Sequence, residues 1–167
     1  DLIEKRTDIA FRIGVLRDST LHARPIGHSR IRVVASPEYL RRHGTPTRVE
    51  QLREHDLLGF TQPSSLNEWP LHDADGGLFV IAPAIASSSG ETLRQMAVAG
   101  LGIACLSDFL TRQDRRDGRL VQLLARQTQK VRQPINAVYY RNTALAARIT
   151  CFVDHVTQTL GQRPFDE

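Results

Sequence analysis

Residues 84–106 read AIASSSGETLRQMAVAGLGIACL, and three different patterns follow one another within them. Ala84-Ile85-Ala86 is a short apolar run of strand type. Ser88-Ser89-Gly90-Glu91 then places a hydroxyl three residues before a carboxylate, a capping box that opens a helix. Leu93, Met96 and Ala97 share one face of that helix, which stops at Gly100-Leu101-Gly102. Gly100 suits a left-handed residue just past the helix end, and Gly102 tightens the turn into Ile103-Ala104-Cys105-Leu106, again a strand. A strand, a helix and a strand in so short a span predict an α/β fold with largely parallel pairing.

The same alternation extends in both directions. Toward the N-terminus, Ile9, Phe11 and Ile13 recur at period two over residues 8–14, a strand, and residues 31–35 repeat the pattern after a polar turn at Asp18-Ser19-Thr20. Ser36-Pro37-Glu38 carries a hydroxyl cap, a proline at the first helical position and an early acid, so a short helix runs to His43-Gly44. Thr47-Arg48-Val49-Glu50 reads as another capping box, opening a helix over about 49–54. Residues 57–60 form a strand, 61–77 a loop or hairpin anchored by Trp69, and 78–81 a strand. Toward the C-terminus, Ser107 caps a helix to about Arg116, and strands follow over 120–124 and 135–140. Leu145, Ile149, Phe152, Val153, Val156 and Leu160 then form one apolar stripe, a final amphipathic helix. The chain holds no internal repeat.

Its 167 residues make one ordinary domain or two small lobes. A composition of 41% hydrophobic and 24% charged residues is that of a soluble globular protein. No run approaches the ~18 apolar residues of a spanning helix, and the start, Asp1-Leu2-Ile3-Glu4-Lys5-Arg6, has no apolar leader core. Cys105 and Cys151 lie far apart in apolar segments and read as core thiols of a reduced, cytoplasmic protein. The net charge of +4 comes mostly from arginines spread along the chain, with Arg41-Arg42 and Arg115-Arg116 the densest groups. Such dispersal, without interleaved aromatics, reads as surface charge and argues against nucleic-acid contact by this chain.

Catalytic and metal signatures are missing. Gly27-His28-Ser29-Arg30 lacks the second glycine of a nucleophile elbow, and the six histidines have no ligand spacing. Gly100-Leu101-Gly102 follows a helix and precedes a strand, the reverse of a pyrophosphate loop. The expectation is a protein with no catalytic residues, metal or cofactor. Ser87-Ser88-Ser89-Gly90, where a strand meets a helix N-terminus, could receive a small anionic or polar ligand. Plain capping, assigned to Ser88, accounts for the same residues.

Taken together, these segments resemble the effector-binding domain of LysR-type transcriptional regulators, over about residues 1–160. Residues 8–14, DIAFRIG, are similar to the family strand DLAIRIG, and residues 18–25 to its dSsLvaRp segment. Residues 35–46 resemble aSPaYLarhGtP, residues 52–58 and the Trp69 loop fit the same subgroup, residues 99–104 resemble aGlGia, and 118–121 GrLv. The resemblance implies a two-lobed, periplasmic-binding-protein-like (type 2) α/β fold with Rossmann-like lobes joined by a two-strand hinge. Lobe one would hold residues 1–34 and 137–163, lobe two residues 35–136, with the hinge near Val33-Val34 and Asn136-Ala137. It further implies a small anionic or aromatic effector between the lobes, touched by Arg12, Ile13, Gly14, Phe60, Ser87, Ser88 and Ser89. By the same resemblance a winged helix-turn-helix domain that contacts DNA would lie upstream, along with the first strand and helix of lobe one. The protein would act as a dimer or tetramer, with no membrane partner. The alternative is an extracytoplasmic solute receptor of the same fold.

Overall fold

A computed structural model describes residues 8–14, 21–72, 76–140, 146–161 and 165. In chain order its strands are β1 (Ala10–Ile13), β2 (His22–Ala35), β3 (Leu57–Phe60), β4 (Glu68–His72), β5 (Leu78–Val80), β6 (Ile85–Ser87), β7 (Ile103–Ser107), β8 (Val121–Leu123) and β9 (Arg132–Tyr139). The helices are α1 (Pro37–His43), α2 (Gly90–Val98), α3 (Asp108–Arg116) and α4 (Ala146–Leu160), with 3-10 turns at Val49–Glu54 and Ser64–Asn67. The backbone forms two compact units, one of residues 1–29 and 132–167, the other of residues 30–131.

In the unit of residues 30–131, β3 lies between β6 and β7 and is parallel to both. β2 runs antiparallel to β7 on one side and to β8 on the other. The expectation of largely parallel pairing is thus corrected to a mixed sheet. Connected elements β3, β6, β7 and β8 all run one way, while β2 is inserted between β7 and β8 with the opposite sense. α2 joins β6 to β7 and α3 joins β7 to β8 as parallel crossovers, whereas β2, although α1 and the 3-10 turn connect it to β3, runs opposite to β3.

Side chains along β7 divide by period two between two apolar clusters. Ile103 and Cys105 pack with Val33, Tyr39, Leu52, Trp69 and Phe79, and Ala104 and Leu106 with Val34, Leu58, Leu93 and Leu120. A strand buried on both faces needs a continuous apolar run, which is what residues 103–106 supply. Trp69 fills the first cluster at 1% exposure from a small antiparallel hairpin, in which β4, from the segment 61–77 read as loop or hairpin, pairs with β5, from the strand expected over 78–81.

Local signals set the element ends. Ser36 Oγ accepts from Tyr39 N at 3.2 Å, Pro37 opens α1, and Gly44 follows it at φ 85°. The box expected at Thr47–Glu50 is closed by a different residue: Gln51 Oε1 accepts from Thr47 N at 2.8 Å and Arg48 N at 3.1 Å. Because Arg48 is the N-cap of the 3-10 turn, Gln51 rather than Glu50 stands at the third position, from which the side chain reaches back. Gly100 takes φ 77°, and a Cβ at Gly102 would lie 2.3 Å from the Asp56 carbonyl oxygen. No other residue fits there without moving backbone.

In the unit of residues 1–29 and 132–167, β9 lies between β1 and β2, and β1 pairs it antiparallel with Arg12 opposite Asn136. Ile149 and Val153 of α4 pack on Ile26 and Ala137, and Arg24 of β2 pairs with Asp154 of α4 at 2.6 Å. The apolar stripe of α4 is only partly buried: Phe152 is 47% exposed, beside Phe11 at 6.5 Å between ring centres. Leu145, the first residue of that stripe, and the turn at Asp18-Ser19-Thr20 lie outside the described residues.

Candidate ligand-binding turn at the N-terminus of α2

Parallel pairing of β3 with β6 puts Phe60 beside Ser87, where both strands end. Thr61 N extends the ladder by one bond, donating to Ser87 O at 3.1 Å. The chain then turns sharply: Ser87 Oγ accepts from Ser89 N at 3.1 Å, and Ser89 Oγ accepts from Thr92 N at 3.3 Å. Gly90, the first residue of α2, sits over the Phe60 ring and Leu110, with a Cβ position 3.7 Å and 3.3 Å from them.

Ser89 is therefore the cap of α2, not Ser88, and the box expected from Ser88 with Glu91 does not form. The turn locked by Ser87 carries the chain one residue further before the helix begins. Ser88 is exposed and has no side-chain hydrogen bond among the described residues. Losing a hydroxyl cap costs about 1 kcal/mol, whereas an exposed, unbonded serine is within about 0.5 kcal/mol of neutral. Urea unfolding of Ser89→Ala and Ser88→Ala should show that order, and the reverse order would return the cap to Ser88.

Glu91 follows the cap but does not turn its charge toward the helix end. Its carboxylate accepts from Arg94 Nε at 2.8 Å, Arg94 Nη2 at 2.6 Å and Gln95 Nε2 at 2.9 Å. The Arg94 bonds first, and that from Gln95 second, hold the Glu91 carboxyl at about 2. Arg94 also pairs with Asp114 of α3, a carboxylate 1% exposed that Arg119 contacts at 2.9 Å. The negative charge nearest the turn is thus matched by a guanidinium anchored on a buried acid. The remaining groups are hydroxyls and first-turn N–H groups, which suit a small polar or anionic group.

Asn67 shapes this corner and was not singled out in the sequence. Its Oδ1 accepts from Phe60 N and its Nδ2 donates to Phe60 O, each at 2.8 Å. The side chain copies a strand partner and fixes the Phe60 backbone; a lone asparagine within a polar stretch carries no pattern that announces such a clamp. Phe60 itself is half-buried and packs against the cluster that holds Leu58 and Leu93.

Of the residues expected at a ligand site, the structure brings Phe60, Ser87, Ser88 and Ser89 together. Arg12, Ile13 and Gly14 belong to the other unit, at the end of β1, where Arg12 and Ile13 are exposed. Gly14 adopts φ 98° and donates its N–H to Pro134 O at 2.9 Å. No group of three or more His, Cys, Asp or Glu among the described residues is placed to hold a metal. Cys105 is buried, which pushes its thiol well above the ordinary range, and Cys151 is exposed on α4. No helix among the described residues is long and apolar enough to cross a membrane.

The pattern of the LysR substrate binding domain family matches residues 1–161. The HTH-type transcriptional regulator CrgA of Neisseria meningitidis serogroup C is 50% identical over 161 residues, 96% of this chain and 54% of that protein. An HTH-type transcriptional regulator of Haemophilus influenzae is 32% identical over 151 residues, 90% of this chain and 52% of its own. Among solved structures, the CrgA regulatory domain superposes with a TM-score of 0.84, covering 95% of this chain and 78% of that one at 50% identity. The full-length virulence activator AphB of Vibrio cholerae superposes with a TM-score of 0.72 at 32% identity, over 95% of this chain and 54% of that one. The chain spans about half the length of the curated relatives it matches.

Proposed function

The chain belongs to the LysR substrate-binding domain family, and we propose that it is the effector-sensing part of a bacterial DNA-binding transcriptional regulator. The observation that carries this reading is the match over residues 1–161 together with relatives that are themselves HTH-type regulators. Those relatives favour a regulator over a solute receptor of the same fold, and none of them is described as an enzyme. The effector is a small anionic or aromatic molecule; Phe60, Ser87, Ser88 and Ser89 are its contacts in the unit of residues 30–131. Arg12, Ile13 and Gly14 are proposed as contacts on the other unit. DNA is engaged by a separate N-terminal domain, in a cytoplasmic dimer or tetramer.

In mechanism, the effector binds one conformation of the domain better than another and shifts the population toward it. The shift reaches DNA affinity as a coupling of about 1–3 kcal/mol. A panel of small aliphatic and aromatic carboxylates, screened by thermal denaturation, should contain members that raise the melting temperature. Ser87→Ala and Ser88→Ala should each weaken such a ligand several-fold, the equivalent of one hydrogen bond of ~1 kcal/mol. Unchanged affinity in both variants would remove the serine turn from the site.

A further inference from the structure

Tyr39 of α1 is 1% exposed, and its ring lies between two histidines. The His43 imidazole stacks on it at 4.4 Å between centres with 14° between planes, and His55 is tilted against it at 5.7 Å. The Tyr39 hydroxyl accepts from Asp56 N at 2.9 Å and lies 3.2 Å from His55 Nδ1. A phenol has one proton to give. With Asp56 N–H on one lone pair, that proton is within reach of His55 Nδ1 and bonds to it in the neutral tautomer whose Nδ1 carries no proton.

We propose that Tyr39 and His55 form an acid-released latch on the corner between α1 and β3. Protonating His55 converts Nδ1 from acceptor to donor, so two protons meet where one bond stood. The hydroxyl must then rotate, and the bond that keeps Asp56 N in place weakens. Asp56 is a junction: its carbonyl oxygen accepts from Ile103 N at 2.9 Å, at the start of β7. Arg42 of α1 meanwhile donates to Gly100 O at 2.8 Å, past the end of α2. Through Asp56 the latch meets the start of β7, beside the turn that follows α2 and at the other end of that helix from the serine turn, and its argument does not use the ligand reading.

The charged and titratable groups around it come from each neighbouring segment. Glu38, Arg41, Arg42 and His43 lie on α1, Glu50, Arg53 and Glu54 on the 3-10 turn, and Asp56 leads into β3. Burial first, and the His43 charge second, push the His55 ring below its ordinary range, against Glu54 and Asp56. A base lowered in the folded state takes up fewer protons than it does unfolded. Stability is then full above about pH 6.5 and falls as the pH drops toward the folded-state value of His55.

Nuclear magnetic resonance of the whole chain tests the latch, with the His55 ring signals titrated in the wild type and in Tyr39→Phe. Removing the phenol proton should raise the His55 midpoint by about 0.7 pH unit, the loss of one hydrogen bond to the neutral form. In the wild type, Asp56 amide exchange, corrected for its intrinsic pH dependence, should quicken about fivefold as His55 titrates. His55→Gln supplies a neutral acceptor and should abolish that step while keeping the amide protected. An unmoved midpoint in Tyr39→Phe, Asp56 protection that ignores the His55 titration, or a step that persists in His55→Gln would each overturn the proposal.

Discussion

Trp69→Ala should destabilise the protein by about 3–5 kcal/mol, the range for emptying a buried large aromatic site. Trp69 is 1% exposed and shares its cluster with Tyr39, Leu52, Leu71, Phe79 and Ile81. Its ring meets Phe79 at 6.4 Å and 52°, a tilted aromatic pair that adds to the area term. The effect is large because the β4–β5 hairpin is a short two-stranded ribbon that depends on packing for its stability. Trp69 and Phe79 face each other across that ribbon and are its plug into the core. Trp69→Phe keeps a ring in place and should cost well under half as much. Urea unfolding followed by far-ultraviolet circular dichroism gives both values without relying on the lost fluorophore. A cost below about 1 kcal/mol for the alanine variant, the ordinary mutational mean, would mean that the hairpin is not part of the core.

Trp69 also marks how far the chain could be read without coordinates. Its segment is polar and turn-rich, yet a single large apolar residue was enough to identify the anchor. Elements whose signals are local were equally legible: Ser36-Pro37 starts α1, Gly100 ends α2, and the apolar run 103–106 becomes the doubly buried β7. Signals that needed one residue of precision failed. Ser88 and Ser89 are both chemically fit to cap α2, and the Ser87 turn that decides between them exists only once the backbone has folded. Glu50 and Gln51 stand in the same relation at the 3-10 turn. Phe152 lies on the apolar stripe of α4 and still is exposed, because periodicity specifies a face without specifying what covers it.

The candidate site was legible as a place rather than as a mechanism. Three serines and a glycine between strand and helix mark one turn as the candidate, and strand pairing brings Phe60 beside it. The Asn67 clamp and the Arg94 bridge from Glu91 to Asp114 were invisible, since each joins positions that no local pattern relates. The arginines were misread in the same way. As dispersed residues they looked like surface charge, whereas Arg32, Arg94 and Arg115 converge on carboxylates that are nearly inaccessible to water.

That convergence sets the second large effect, at Asp108. Its carboxylate is 2% exposed and accepts from Arg32 Nε at 2.6 Å and Arg115 Nη2 at 2.7 Å, with Arg112 Nη2 at 3.8 Å. Arg32 belongs to β2 and also donates to Gln122 of β8 at 3.2 Å, so one acid joins two strands to α3. Asp108→Ala removes the buried carboxylate that these three guanidiniums share. Breaking a buried ion pair from one side costs about 3–5 kcal/mol. The three arginines keep 18–24% of their side-chain surface in water, which places the expected cost near the lower bound, about 3 kcal/mol. Asp108→Asn keeps the shape and one acceptor and should fall between alanine and wild type. The decisive comparison is a cycle with Arg32→Met, which removes the charge from the other side while retaining an unbranched aliphatic stem. If the carboxylate and guanidinium act as a pair, Asp108→Ala with Arg32→Met is less damaging than the sum of the two, by about 1–3 kcal/mol. Purely additive losses in urea unfolding would show that Asp108 contributes as one acceptor among many, and that β2 is held to α3 by its apolar neighbours alone.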